Sequence, residues 1–377
     1  MRYCTICFQP DTRPNAYFNE DGLCPACAYH QELKDIDWEE RFEILRGIIK
    51  QFPKQPNQYF DCIIGVSGGK DSTRQAMWAR DKLGLRPLLV CFAYPPQQIT
   101  ERGASNLSNL IELGFDTLVL SPQPETWRKT LREGFLTFTN WAKASEQAII
   151  GSAPKIAIQH KIPLILWGEN PGLQLGDMKT VGRNGYDGNN LRFMNTVSGG
   201  NLQWLFEKGF SKSDLINFRY PSVEEFEAAS IQIVYLGWFW KDWSIINNGM
   251  YSVTQGLDVR EDTVENTGDL TNVFSLDEDW VTLNQMIKYY KYGFGRATDH
   301  VNEAVRAGLM DREEGRIKIE KYDGCCSDYY IRTFCKFIDI SVDEFWYTVH
   351  SSVNKDLFAI NNDGSIVPKF KVGVGLV

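Results

Sequence analysis

The stretch Asp61-Cys62-Ile63-Ile64-Gly65-Val66-Ser67-Gly68-Gly69-Lys70-Asp71-Ser72 decides how this chain is read. Cys62 to Val66 is an apolar run bounded by an acid and a Gly-rich turn, the pattern of a parallel strand buried on both faces. Ala76, Met77, Ala79 and Leu83 then recur at helical spacing, and Gly84 stands where such a helix stops. Between strand and helix, two adjacent glycines let the backbone turn its N–H groups toward one point. The helix N-terminus adds a partial positive charge, so an anion is the natural occupant. The common nucleotide loop needs four residues between its first Gly and Gly-Lys-Ser/Thr. This loop is shorter, and Asp71 separates Lys70 from Ser72. An ordinary Gly-rich turn with a chance lysine is the plain alternative; strand, loop and helix in this order favour phosphate binding.

The short form Ser67–Ser72 resembles the pyrophosphate loop of the ATP pyrophosphatase (PP-loop) superfamily. That resemblance implies that Ser67, Gly68, Gly69, Lys70, Asp71 and Ser72 hold the β and γ phosphates of ATP. The α phosphate is then exposed to a nucleophile, giving AMP and pyrophosphate.

The 377 residues suffice for two or three domains of about 100–200 residues each. Apolar residues make up 43% and aromatics 13%, enough for sizeable cores. A net charge of −8 disfavours a broad nucleic-acid surface. No apolar run approaches the length of a membrane span, and Met1-Arg2-Tyr3-Cys4 lacks a signal-peptide core, so a cytoplasmic enzyme with no membrane partner is expected.

Cys4-Thr5-Ile6-Cys7 and Cys24-Pro25-Ala26-Cys27 form two CxxC pairs separated by sixteen residues. Such pairs close a tetrahedral Cys₄ site with no open position, suited to structural Zn²⁺. A module of about 35 residues is too small to be held by burial alone, which gives the metal a physical reason. Redox dithiols are the alternative, but these belong in a βα unit and need no twin. His30 is a bystander beside four thiolates. An amphipathic helix from Trp38 to Ile49 and a linker marked by Pro53 and Pro56 follow, so residues 1–55 form a zinc module with its linker helix.

Residues 56–245 read as the ATP-binding domain. Pro87–Phe92, Thr117–Leu120, Ile162–Trp167 and Gln232–Phe239 are further strands, with helices over Ile99–Leu113 and from Thr126 onward. This alternation predicts an α/β fold, a parallel sheet with helices on both faces. Ligands bind such sheets beyond the carboxyl ends of the strands, which singles out Trp167-Gly168-Glu169-Asn170-Pro171. Glu169 and Asp177 are candidates for holding Mg²⁺ against nucleotide phosphates, with solvated loop carboxylates as the alternative. The glycine- and asparagine-rich stretch from Lys179 to Gly200 reads as a functional or mobile loop. Its Arg183 and Arg192 are candidates for an anionic substrate or for simple solvation.

Residues 246–377 read as a helical region that binds substrate or partner. Its Lys291-Tyr292-Gly293-Phe294-Gly295-Arg296-Ala297-Thr298-Asp299 follows one amphipathic helix and opens another. Lys291 and Arg296 suit a phosphate or carboxylate clamp, or compensation of helix ends. Cys325, Cys326 and Cys335 are spaced too irregularly for a metal site, and Asp363-Gly364 marks a small terminal hairpin.

Taken together, the paired CxxC start, Ile64–Ser72, Trp167–Pro171 and Lys291–Asp299 resemble the N-acetyl sugar amidotransferase family, PP-loop enzymes of surface-polysaccharide (lipopolysaccharide, O-antigen) and nonulosonic-acid biosynthesis. The resemblance implies an adenine nucleotide alpha hydrolase-like fold and conversion of an acetamido group on a sugar into an acetamidino group. It places ATP, with Mg²⁺, at the loop; Lys70, Asp71, Glu169 and Asp177 are the catalytic candidates that the loop and the strand end supply. Position 2 is Arg rather than the Cys of an N-terminal glutaminase, and no Gly-x-Cys-x-Gly elbow is present. A separate glutaminase subunit is therefore expected, with an ammonia-conducting cyclase-like subunit as a further partner. A tRNA thiolase of the same superfamily, kept open by Cys325, Cys326 and Cys335, is one rival. A non-catalytic nucleotide-binding protein is the other.

Overall fold

Strands β1 (Cys62–Val66), β2 (Pro87–Phe92), β3 (Thr117–Leu120), β4 (Leu164–Trp167) and β5 (Gln232–Tyr235) form one parallel sheet in the order β3-β2-β1-β4-β5. The computed structural model describes the chain except for residues 170, 171, 173, 174 and 183. After a short α1 (Pro25–Glu32), helices α2 (Trp38–Lys50), α3 (Lys70–Asp81), α4 (Glu101–Glu112), α5 (Pro124–Phe138) and α6 (Ala142–His160) surround the sheet. Alternation along each strand sends its side chains to opposite faces. Cys62, Ile64 and Val66 of β1 pack with α2, α3 and α4 through Leu45, Ala76 and Leu110. Ile63 joins Leu88, Val90 and Ile165 against Ile150 and Ala153 of α6. Both faces are covered, as an all-parallel sheet requires.

Because β1 lies between β2 and β4, the strand order reverses there, and a crevice opens beyond the carboxyl ends of β1 and β4. The β4 strand starts at Leu164 rather than Ile162, because Ile162 N–H still returns to Ala157 O behind the left-handed Lys161 that ends α6. The last strand stops at Tyr235, where a single turn over Leu236–Trp238 begins.

The described residues between Lys179 and Gly200 cover a sheet edge. Asp187 bridges Val234, Gly188 N–H donates to Ile233 O, and Ile233 N–H donates to the Asn189 side chain. These residues thereby supply partners to the outer edge of β5, which would otherwise be a row of open donors and acceptors. Arg192 is buried in this cover, donating to Pro221 O and stacking over Phe226, and so is a packing residue.

The remainder is helical up to Ser352 and ends in two hairpins, the first turning at Asp363-Gly364. Its core runs back across residue 245: Phe334 and Phe345 pack on Phe135 of α5, with ring centroids 5.4 and 5.1 Å away. No helix among the described residues is long and apolar enough to cross a membrane.

Phe135 is fully buried where the two regions meet. Its replacement by Ala is expected to destabilise the protein by about 3–5 kcal/mol in denaturant unfolding. Truncation of the exposed Ile216 should stay within about 0.5 kcal/mol.

Candidate active site

The loop after β1 lies against α4. Gly68 has φ +84°, and a Cβ there would stand 3.0 Å from the backbone of Asn106 and Leu107, so only glycine fits this approach. Gly69 precedes the first turn of α3, where Lys70, Asp71 and Ser72 lie. Lys70 is 3% exposed. Its Nζ meets Asp71 Oδ2 at 2.6 Å and sits 3.7 Å from the Phe274 ring centroid. Asp71 Oδ1 accepts from Asn248 Nδ2 at 2.7 Å, and Lys70 O accepts from Ser252 Oγ at 2.7 Å. Both partners lie on the helix Ile245–Thr254, which runs alongside α3. Arg74, one turn further along α3, orients that Asn248 by donating to its Oδ1 at 2.6 Å.

Glu169 enters from the end of β4. Gly168 before it leaves room for Trp243 and Gln75, whose atoms would lie 2.6–2.8 Å from a Cβ. Glu169 keeps accessible surface at the cleft mouth. Desolvation of its carboxyl and the neighbouring Asp71 charge nevertheless push it up to about 8. Burial works in the same direction on Asp71, but the Lys70 charge and the Lys70 and Asn248 hydrogen bonds outweigh it and hold Asp71 low. The interaction between the two carboxyls works in opposite directions on the pair, favouring the ionised form of Asp71 and the protonated form of Glu169. Such a pair is the hard-oxygen donor set a divalent cation takes when it displaces the Glu169 proton, so the residues present fit Mg²⁺.

A roof closes the cleft from the C-terminal side. Val273, Phe274, Ser275, Leu276 and Asp277 face Ser67, Gly69, Lys70, Trp167 and Glu169 across a cavity of about 290 Å³. Asp269 shapes the roof: its Oδ1 accepts from Thr271 N–H, Thr271 Oγ1 and Asn272 N–H at 2.8–3.1 Å, and its Oδ2 from Phe274 N–H at 3.3 Å. His300 holds the base, its Nδ1 accepting from Leu270 N–H at 3.2 Å. Arg296 stacks on Phe274 with its Cζ 4.4 Å from the ring centroid, and Glu169 lies within its electrostatic reach. The cleft therefore presents a glycine-rich loop with a buried lysine and a carboxylate pair, with Arg296 behind the roof.

The structure brings Ser67, Gly69, Lys70, Asp71, Ser72 and Glu169 to one lining and sets Arg296 behind its roof. It does not bring Asp177 or Lys291 there. Asp177 accepts from Asn15 Nδ2 at 3.0 Å, tying its loop to the N-terminal module, so Asp71 rather than Asp177 is the carboxylate beside Glu169. Lys291 Nζ donates to Phe138 O and Thr139 O at 2.6 and 3.1 Å; it caps the carboxyl end of α5, the helix-end role that its position also suggested. Arg183, Asn170 and Pro171 lie outside the described residues. Cys325, Cys326 and Cys335 do not line the cleft, and Cys335 is buried in the helical core. Phe274, Asp269 and Asn248 were missed from sequence. Asp269-x-Thr271 carries a local turn signal, whereas Asn248 acts through helix packing and carries none.

The four thiols of Cys4, Cys7, Cys24 and Cys27 are buried, with all Sγ atoms within 4.8 Å of one another. The Cys7–Cys24 separation is 3.7 Å, close to the ~3.8 Å edge of a tetrahedron of sulfurs about 2.3 Å from a central Zn²⁺. Gln9 N–H and Cys24 N–H each point at a sulfur at 3.3 Å. The donor set fits a structural metal. The module also braces the helical region: Arg312 donates to Ile6 O and Cys7 O at 2.6 and 2.9 Å, and Phe8 N–H donates to Asn302 Oδ1 at 2.7 Å. Arg13 pairs with Asp299, which also binds Lys288 at 2.7 Å. Metal analysis should find one zinc per chain, lost on Cys24→Ala together with a fall in melting temperature, because metal binding here is folding energy.

No curated protein matches the chain. Residues 267–371 match the family model for the C-terminal domain of WbpG-like LPS biosynthesis proteins. The matched segment begins just before the roof, so Val273–Asp277 over the Ser67–Ser72 loop lies within the part of the chain that is similar to these LPS biosynthesis proteins.

Proposed function

We propose that the protein is an ATP-dependent, AMP-forming amidotransferase that converts the acetamido group of a sugar or nucleotide sugar into an acetamidino group during surface-polysaccharide biosynthesis. One observation carries this reading: the phosphate loop and the segment similar to lipopolysaccharide-biosynthesis proteins enclose a single cleft. An anion-binding loop alone would suit any nucleotide enzyme, and the matched segment alone would leave the chemistry open. Their shared cavity favours a nucleotide reaction on a polysaccharide precursor.

An amide is a poor electrophile, so its oxygen must first become a leaving group. Attack of that oxygen on the α phosphate forms an O–P bond and releases pyrophosphate. Ammonia then adds to the activated carbon, and AMP departs with the former amide oxygen, leaving the amidine. Lys70 and the N–H groups of the Ser67–Ser72 loop stabilise charge on the pyrophosphate as it leaves. For that purpose Lys70 exchanges its Asp71 and Phe274 contacts for phosphate oxygens. Asp71 and Glu169 would hold Mg²⁺, which supplies charge neutralisation at those oxygens. Arg296 adds positive charge from behind the roof, stacked on Phe274. No nucleophilic Ser or Cys is needed, since positioning and charge stabilisation carry the rate. A separate glutaminase subunit supplies the ammonia in this reading.

Incubation with ATP, ammonium and a panel of acetamido sugars tests the reading. Mass spectrometry should show AMP and a sugar lighter by the difference between O and NH; ATP cleavage independent of every sugar would contradict it. Lys70→Ala is expected to lower turnover by ~10² or more. Because Mg²⁺ must displace the proton that Glu169 retains up to about pH 8, Mg–ATP affinity should rise between about pH 6 and pH 9. Calorimetry should show that dependence flattened in Glu169→Gln.

A further inference from the structure

The far end of the roof is clamped through its main chain. Thr100 N–H donates to Asp277 O at 3.0 Å, and Thr100 Oγ1 and Arg102 Nε donate to Leu276 O at 2.7 and 2.9 Å. Arg260 Nη2 donates to Ser275 O at 2.9 Å. A Cβ on Gly103 would stand 2.5 Å from Asp277 Cα, so α4 meets this residue backbone to backbone. The Asp277 carboxylate takes no part in the clamp. It forms no ion pair and accepts from no other residue among those described; its own N–H is its hydrogen-bond donor. A fixed main chain under an uncommitted carboxylate is the arrangement of a preorganised acceptor.

Asp277 lines the cleft, and Cys91 at the end of β2 and Tyr94 just beyond lie in the field of its carboxylate. Away from the loop and Glu169, the polar side chains of the lining are Gln75, Ser152, Ser275 and Asp277. Gln75 Nε2 is spent on Leu166 O and Ser152 Oγ on Ile149 O, each at 2.7 Å. Asp277 is therefore the one charged acceptor at that end of the described lining, among the apolar Val90, Phe92 and Trp167. Phe274 marks the other end of the roof, its ring centroid 3.7 Å from Lys70 Nζ. Asp277 stands three residues further on, a reach of at most about 11 Å. A nucleotide with its terminal phosphates on the loop carries its ribose over the same span, one phosphate and one methylene further along.

We propose that the Asp277 carboxylate accepts the 2′ and 3′ hydroxyls of the nucleotide's ribose, so that the roof selects ribonucleotides. The inference rests on the nucleotide half of the function proposed above and needs nothing of its amidation half. A vicinal diol offers two O–H donors side by side, and an ionised carboxylate offers two acceptor oxygens and no donor. Phosphate oxygens would be repelled there, and the edge of adenine sets an acceptor nitrogen beside its amino donor. The same pairing of an acid with ribose serves dinucleotide-binding folds. Burial pushes the Asp277 carboxyl up to about 6, opposed by its own N–H and by the charges of Arg102 and Arg260, so it is mainly ionised at neutral pH. Its place on the roof makes nucleotide selection a property of the C-terminal region rather than of the loop.

Calorimetry on the full chain, with no sugar present, compares Mg–ATP with its 2′-deoxy and 3′-deoxy analogues. The unmodified chain should bind each analogue ~10-fold or more weakly than ATP, the loss expected for a hydrogen bond to a charged group. In Asp277→Ala, shown to be folded by its melting curve, ATP should fall to the level of the analogues and all three should bind alike. Equal affinities for ATP and both analogues in the unmodified chain overturn the assignment without recourse to a variant. Discrimination that persists in Asp277→Ala overturns it too. So does a variant with normal ATP affinity and a raised KM for the acetamido sugar, since the hydroxyls recognised would then be the sugar's. Failure of the unmodified chain to bind any of the three nucleotides overturns the nucleotide reading and this assignment with it. Normal discrimination without amidine formation overturns the amidation reading and leaves this assignment standing.

Discussion

A lysine buried at the end of the Gly-rich loop after β1 must be paired, and the Lys70–Asp71 contact is the constraint on which the rest of this site depends. An uncompensated ammonium at 3% exposure would lose its charge or destabilise the fold. Asp71 at 2.6 Å supplies the counter-charge and Phe274 supplies a π face. Each partner then needs support of its own. Asn248 holds Asp71, Arg74 holds Asn248, and Asp269 fixes the turn that lays Phe274 over Nζ. Burial and, after it, the neighbouring Asp71 charge in turn push the Glu169 carboxyl up to about 8. The free site is thus a set of contacts that phosphate oxygens and a divalent cation are suited to replace.

The partners come from distant parts of the chain, and this explains the architecture around them. The helix Ile245–Thr254 lies along α3, the roof Val273–Asp277 closes over the loop, and the helix that begins at Arg296 backs the roof. The N-terminal cysteine module braces that last helix through Arg13–Asp299 and Phe8–Asn302. A domain of parallel sheet and a helical region therefore share one site, and the module that carries the metal set stiffens the junction between them.

How much of this was legible follows from the range of each interaction. Strand β1, the loop and α3 are encoded by consecutive residues and were read from local pattern alone, as were β2, β3 and the paired CxxC motifs. Cap residues are equally local: Asp311 and Ser341 accept N–H groups at the helix starts where their motifs stand. Asp177 and Lys291 were misplaced because their partners, Asn15 and the carboxyl end of α5, lie more than a hundred residues away in sequence. The Lys179–Gly200 stretch looked loop-like because it has no periodicity. Its described residues instead complete the edge of β5, a role that depends on which strand ends the sheet. Phe274 resembles any apolar loop residue until the fold sets it over Lys70.

The central claim, that the amide oxygen of a sugar attacks the α phosphate held beyond this loop, has a direct test. An acetamido sugar carrying isotopically heavy carbonyl oxygen would be turned over with ATP and ammonium, and the products weighed. The account predicts that the heavy oxygen appears in AMP, with unlabelled pyrophosphate. Unlabelled AMP, or ADP as the nucleotide product, would contradict it.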